Sequence, residues 1–308
     1  MNALGIDTSN YTTSAARYDG AAVAANRKLP LPVSPGQRGL RQSDAVFHHT
    51  RQLPVLLAEL LPDPDLAVLG VSDRPRQTED SYMPCFLTGL GHAQALGAAL
   101  GLPVLRFSHQ QGHIAAALYS AGRLDLLERD FLAFHVSGGT TEAVTVSPGG
   151  PEGPKTQLAA GSLDLKAGQA VDRVGLMLGL RFPCGPELER LALSWPQPAP
   201  GKPAMKGADC SLSGIENQCR ARVEQGRPPA ETARFCLDSI AAALDEMCRR
   251  LLLELGPLPV VFSGGVCSCS LLRERLGEKY GAAFAAPEFS ADNAAGAAIL
   301  AYRGRFGL

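Results

Sequence analysis

The chain has 308 residues, 45% of them apolar and 19% charged, with a formal net charge of −1. That length is enough for two domains with separate cores, and the composition is that of an ordinary globular protein. The near-neutral charge excludes a global footprint for a polyanion, so any nucleic-acid contact would need a local basic patch. The start, Met1 to Asp7, lacks the basic and apolar regions of a secretory signal, and no apolar run reaches membrane-spanning length. The eight cysteines show neither zinc-ribbon nor thioredoxin spacing. The expectation is a cytoplasmic protein with reduced thiols and no membrane partner.

Residues 2 to 25 read as a hairpin whose first strand ends in Asp7 and whose turn is rich in hydroxyls. Pro30, Pro32, Pro35, Gly36 and Gly39 then mark an irregular loop to residue 43. A helical pattern from Asp44 to Leu61 carries His48 and His49, read as a solvated face. Leu66 to Val71 is a short buried strand ended by Ser72 to Arg76, Thr88 to Leu100 a small-residue helix, and Pro103 to Phe107 the next strand. Ser108 with Gln111 forms a capping-box pattern at the start of a helix, which puts His109 and His113 on one face of its first turns.

The centre of the chain is Phe131 to Val146, two runs of strand formers around Ser137-Gly138-Gly139-Thr140-Thr141. Such a turn is either a plain hairpin or a concavity whose backbone N–H groups receive an anion. Gly161 to Gly179 is helical from about Leu165, contains Asp172, and stops at Phe182 to Pro186. Residues 194 to 209 form a long loop rich in proline and glycine, Thr232 to Leu255 the longest helix, and Ser290 starts the last one. A third glycine turn, Ser263-Gly264-Gly265-Val266, closes the apolar strand from Val260 and precedes a helix from Ser268. Three such turns at strand ends suggest a duplicated α/β fold with a nucleotide-type ligand between its halves.

Two imidazoles one helical turn apart can share a divalent ion, although this spacing is also met as polar surface. Asp292 is the best third ligand, with a first-turn acid favoured by the helix dipole as its bland reading. Asp7 and Asp172 are candidates for a ribose or a second cation, or for backbone caps. Arg74 and Arg76, at a strand end, suit a carboxylate or phosphate, or simply a solvated loop.

In order, Leu4 to Ser9, His109 to His113, Val136 to Thr141, Ala170 to Arg173, Phe182 to Pro186, Ser211 to Ile215, Ser263 to Val266 and Pro287 to Asn293 resemble the motifs of the TsaD family. These are threonylcarbamoyl-transferring proteins of the actin-like (ASKHA) superfamily, historically labelled glycoproteases. The resemblance implies two duplicated ribonuclease-H-like halves, assigned here to residues 1–107 with 293–308 and to 108–292, with the ligand cleft between them. It implies one divalent metal, iron or zinc, on His109, His113 and Asp292. An adenylate or ATP-type nucleotide would meet His135, Val136, Ser137, Gly138, Gly139, Asp172 and Gly185, with Asp7, Gly264, Gly265 and Cys269 also facing the ligand. The implied reaction transfers threonylcarbamoyl from an adenylate to N6 of adenosine 37 of ANN-reading tRNA. The implied protein partner is a TsaB-like subunit or a second copy, and the helix Gly89 to Leu100 is the suggested interface. The peptidase label finds no support, because no HExxH or nucleophile–base pattern is visible.

Several positions depart from the family pattern. Ser9 to Thr13 replaces Ser-Cys-Asp-Glu-Thr, and Asp73-Arg74-Pro75-Arg76 replaces Ala-Gly-Pro-Gly. Thr140 stands for a histidine, Glu216 for a lysine and Cys269 for an asparagine. The ligand set is kept while its surroundings have changed, as in a divergent paralogue. The alternatives are an O-carbamoyltransferase relative using Arg74 and Arg76, or a non-catalytic binding subunit.

Overall fold

A computed structural model describes residues 1–9, 11–32, 40–78 and 80–307. The turn residue Asn10 and the part of the expected loop that holds Pro35, Gly36 and Gly39 lie outside the described residues. The chain forms two compact units, Met1–Arg129 with Ser147–Thr156 and Glu288–Leu308, and Asp130–Val146 with Gln157–Pro287.

In the first unit, β1 (Asn2–Asp7), β2 (Thr12–Tyr18) and β3 (Val23–Pro30) make an antiparallel meander. Helix α1 (Gln42–Leu60) leads to β4 (Leu66–Arg74), and α2 (Phe86–Leu100) leads to β5 (Val104–Ser108). Both later strands run parallel to β1, giving the order β3-β2-β1-β4-β5. Helix α3 (His109–Ser120) follows directly.

The second unit repeats this plan with β6 (Phe131–Val136), β7 (Thr141–Ser147) and β8 (Lys155–Gly161). Then come α4 (Ala167–Met177), α5 (Gly185–Leu193), a small hairpin of β9 (Ala204–Lys206) and β10 (Asp209–Ser211), α6 (Ser213–Glu224) and α7 (Pro229–Leu255). Strand β11 (Val260–Ser263), α8 (Ser270–Tyr280) and β12 (Ala283–Phe284) complete a sheet of order β12-β11-β6-β7-β8. The strands correspond one to one with those of the first sheet. The short α9 (Pro287–Ser290) and α10 (Ala295–Phe306) return the chain to the first unit.

Side chains alternate across the first sheet, and its two faces are built differently. Leu4, Ile6, Leu69 and Val71 enter one core with Leu53, Leu56 and Leu57 of α1 and Ala93 of α2. Gly5 and Gly70 face the other side, where a Cβ on Gly5 would come within 2.6 Å of Ala298 N and one on Gly70 would overlap the Ala297 carbonyl. Missing side chains therefore let the α10 backbone lie directly on the sheet. Asp7, two residues beyond Gly5, leaves the strand on that same face.

Helices α3 and α10 touch through two more glycines, since a Cβ on Gly296 would overlap the Gly112 carbonyl. This contact keeps α3 in the first unit. The boundaries expected at 107/108 and 292/293 thus differ from the observed ones at 129/130 and 287/288.

His49 corrects the reading of a solvated face. It is fully buried, on the inward stripe Ala45, His49, Leu53, Leu56, Leu57 and Leu60, whereas His48 is half-buried. The proline-rich stretch from residue 194 is pinned to α7. Ala199 N donates to Asp238 Oδ2 (2.9 Å), Gly201 N to Ser239 Oγ (2.8 Å), and Arg234 to the Trp195 carbonyl (3.2 Å). Among the described residues, no helix is long and apolar enough to cross a membrane.

Candidate metal centre and glycine loops

The first unit assembles His109, His113 and Asp292. Ser108 caps α3, its hydroxyl accepting from Gln111 N (3.2 Å) while Gln111 Oε1 accepts from Ser108 N (2.7 Å). That reciprocal cap starts the helix at His109, so both imidazoles project from its first turns, with ring centroids 4.2 Å apart. Asp292 comes from the turn before α10. Asn293 shapes this turn, donating to the Phe289 (3.3 Å) and Ala291 (2.7 Å) carbonyls and accepting from Ala295 N (3.1 Å).

One ligand atom from each of the three residues lies within 4.8 Å of the others. His113 Nε2 stands 3.4 Å and His109 Nε2 3.6 Å from Asp292 Oδ1. Donors bound at ~2.0–2.2 Å around a tetrahedral ion stand roughly 3.3 Å apart, so the set fits an ion with little movement. Two imidazoles and one carboxylate suit iron, zinc or a similar borderline ion and leave positions open for a ligand.

Asp7 sits behind His109, with Oδ2 2.8 Å from His109 Nδ1 and Oδ1 accepting from Ser9 N (2.9 Å). Burial pushes the Asp7 carboxyl up, but the His109 charge and hydrogen bond outweigh it and leave Asp7 at about 2. Burial pushes His109 down, while Asp7 and Asp292 together raise it to about 10. Burial likewise opposes ionisation of Asp292, yet the facing imidazoles of His109 and His113 hold it well below the carboxylate range. The upward shift of His109 favours the protonated imidazole, so an ion binding at Nε2 would compete with a proton. The sequence offers Asp7 as a ligand for a ribose or a second cation, or as a backbone cap. The Asp7 carboxylate is 2% exposed, with one oxygen on a backbone N–H and the other on His109.

The remaining expected residues lie in the second unit. Ser137 N donates to the Thr140 carbonyl (2.7 Å) and Thr140 N to Ser137 Oγ (3.2 Å), closing a tight turn. Gly138 and Gly139 at its tip are exposed, with nothing within 4 Å of where their Cβ atoms would be. Gly168, near the start of α4, packs beneath, donating to the Ser137 carbonyl (3.1 Å). Val136 is buried and can offer a ligand only its backbone.

Ser263 pairs with His135 across the sheet; its hydroxyl donates to the Phe134 carbonyl (3.0 Å) and lies 3.2 Å from His135 Nδ1. Gly264 has φ of +95°, and a Cβ there would overlap the Val136 carbonyl, so the strand ends that carry the two glycine turns of this unit touch backbone to backbone. Gly265 is open. Asp172 Oδ1 accepts from Cys184 N (2.9 Å), fixing the turn from which Gly185 opens α5. Cys269 precedes α8 and is buried, which pushes its thiol up to about 11, so it stays uncharged.

Two departures from the family pattern have local explanations. Glu216 is held between Arg173 and Arg220, 3.0 Å from each. Arg74 is engaged by Asp73 (3.0 Å), whose buried carboxylate also takes Arg106 (2.7 Å), so an anion reaching Arg74 would have to compete with an ion pair already made.

The family described as "TsaD: tRNA N6-adenosine threonylcarbamoyltransferase" matches residues 82–299, more than half of the chain. The chain belongs to the TsaD family. Solved structures agree on an actin-like ATPase (ASKHA) fold. Full-length HypF in its phosphate- and nucleotide-bound form superposes with a TM-score of 0.62 at 13% identity, over 98% of this chain and 46% of that one. This TsaD-family chain therefore spans about half the length of HypF. Component A of (R)-2-hydroxyglutaryl-CoA dehydratase from Acidaminococcus fermentans gives 0.58 at 14% identity over 98% of both chains. A ROK family glucokinase from Streptomyces griseus, in complex with glucose and AMPPNP, gives 0.53 at 13% identity, over 98% of this chain and 100% of that one.

Proposed function

We propose that this TsaD-family chain transfers threonylcarbamoyl, or a closely related carbamoyl group, from an adenylate to N6 of adenosine 37 in ANN-reading tRNA. His109, His113 and Asp292 would hold one iron or zinc ion. The observation that carries the reading is their convergence within 4.8 Å, from positions separated by most of the sequence. A bound ion would supply Lewis acidity toward the carbamoyl oxygen. The exposed Gly138 and Gly139 would let the backbone approach the adenylate phosphate closely, as the closed turn beneath them requires no side chain there. In the overall exchange N6 gains the carbamoyl carbon and loses a proton, while AMP leaves with the bonding electrons of the former C–O bond.

The O-carbamoyl alternative rests on Arg74 and Arg76, and the Asp73 ion pairs weaken that basis. A non-catalytic subunit rests on Thr140 and Cys269, neither of which alters the three metal donors. A TsaB-like partner or a second copy would dock on α2, where Leu87 and Leu100 are exposed. Eight free cysteines suit a reducing cytoplasm.

The test is metal analysis together with AMP release from threonylcarbamoyl adenylate. About one ion per chain is expected in the wild type. His109→Ala and Asp292→Ala should lose the ion and slow release by roughly 100-fold or more. Undiminished release in both variants would overturn the reading.

A further inference from the structure

Asp7 has a chemistry of its own, and its role rests on the metal site proposed for His109, His113 and Asp292. Oδ2 of Asp7 lies 2.8 Å from His109 Nδ1, the geometry in which a carboxylate oxygen accepts from an N–H at Nδ1. A neutral imidazole with its proton on Nδ1 presents a lone pair at Nε2, the atom that faces Asp292 Oδ1. The other Asp7 oxygen is held by Ser9 N (2.9 Å), and the Asp7 carbonyl accepts from Ser14 Oγ (3.2 Å). Both the carboxylate and its backbone are thereby tied to the β1–β2 hairpin, while register places Asp7 beside Ser14 on β2.

We infer that Asp7 is a positioning residue for the metal centre: it fixes the tautomer and ring angle of His109, so that Nε2 is the ligand atom. It acts through His109 and contributes no ligand of its own. Outer carboxylates of this kind typically hold the ring and raise its basicity, and their loss costs about 10–100-fold in metal affinity.

Asp7→Asn separates this role from mere packing, because it is isosteric. An amide has one oxygen where the carboxylate has two. If that oxygen stays on Ser9 N, the NH2 group faces His109 and drives the proton to Nε2, blocking the ligand lone pair. If it turns to His109 instead, the NH2 group meets the Ser9 N–H and the turn is lost.

The experiment uses the full chain loaded with Co(II) for affinity, by chelator competition, and with Zn(II) for nitrogen-15 spectra of the imidazoles. In the wild type, His109 should carry its proton on Nδ1 with Nε2 bound to zinc. Asp7→Asn should weaken Co(II) binding about 10–100-fold, and Asp7→Ala by a similar or smaller factor. Thermal melting of the Asn variant should stay within about 5 °C of the wild type. Co(II) affinity within twofold of wild type in both variants, or a zinc-bound Nδ1 on His109, would overturn the inference while leaving the metal site itself standing. A wild type that binds neither ion would remove both.

Discussion

The two units share one strand order and place different groups at its strand ends. At the ends of β1 and β5 the first unit gathers side chains, with Asp7 buried beneath His109 and Asp292 brought in by the turn before α10. At the ends of β6 and β11 the second unit strips side chains away. Gly138 and Gly139 are bare and exposed, and Gly264 lies against Val136. One half presents nitrogen and carboxylate donors, the other presents main chain. A duplicated sheet fixes where strand ends meet, and the residues placed there decide whether the site suits a cation or an anion.

The largest effect that would sharpen this contrast is on Gly264. Its positive φ and its contact with the Val136 carbonyl make Gly264→Ala costly, by about 2–4 kcal/mol of stability in urea unfolding. Gly139→Ala, at an open position, should change stability by less than about 0.5 kcal/mol yet weaken adenylate binding in calorimetry. Equal losses of stability in the two variants would break the distinction between a structural and an open glycine.

In the first unit, His49 gives an intermediate effect. Thr13 Oγ1 donates to Gln52 Oε1 (2.6 Å) and so accepts from His49 Nδ1 (2.8 Å), leaving Nε2 buried without a partner among the described residues. Burial lowers His49 from 6.5 to about 4. Between those values the unfolded chain binds more protons than the folded one, so its contribution to stability is full above pH 6.5 and lost as pH falls toward 4. Between about pH 7 and pH 4.5 the loss should be about 1–3 kcal/mol, and His49→Gln should flatten that portion of the pH profile in denaturant titrations. The smallest effect belongs to Arg74→Ala. An ion pair with a partly exposed guanidinium is worth about 1 kcal/mol or less, and adenylate affinity should not change.

Much of the site is legible in the sequence alone. The capping box at Ser108 and Gln111 defines the His109/His113 face, and Asp292 is marked by its place before the last helix. The His49 environment is also readable, since it falls four residues after Ala45 and four before Leu53 on one apolar stripe. The Asp7–His109 contact is not. It joins residues 102 apart in sequence, and only the parallel pairing of β1, β4 and β5 brings their ends together. Helix α6 escapes sequence reading because just Ile215 and Cys219 are buried on it, too few to impose a period. The β9–β10 hairpin is three residues a side and hides within a stretch dominated by proline and glycine.

The abutment of Gly112 and Gly296 carries a consequence for how the protein can vary. Gly112 is the neighbour of His113, and Gly296 follows Asp292 by four positions. The separation of these two donors is therefore gauged by the thickness of two peptide chains, a dimension that no side-chain replacement elsewhere can trim. Retuning toward a larger or smaller ion would have to proceed through rotamers and the surrounding carboxylates, because the chassis beneath them has no slack to adjust.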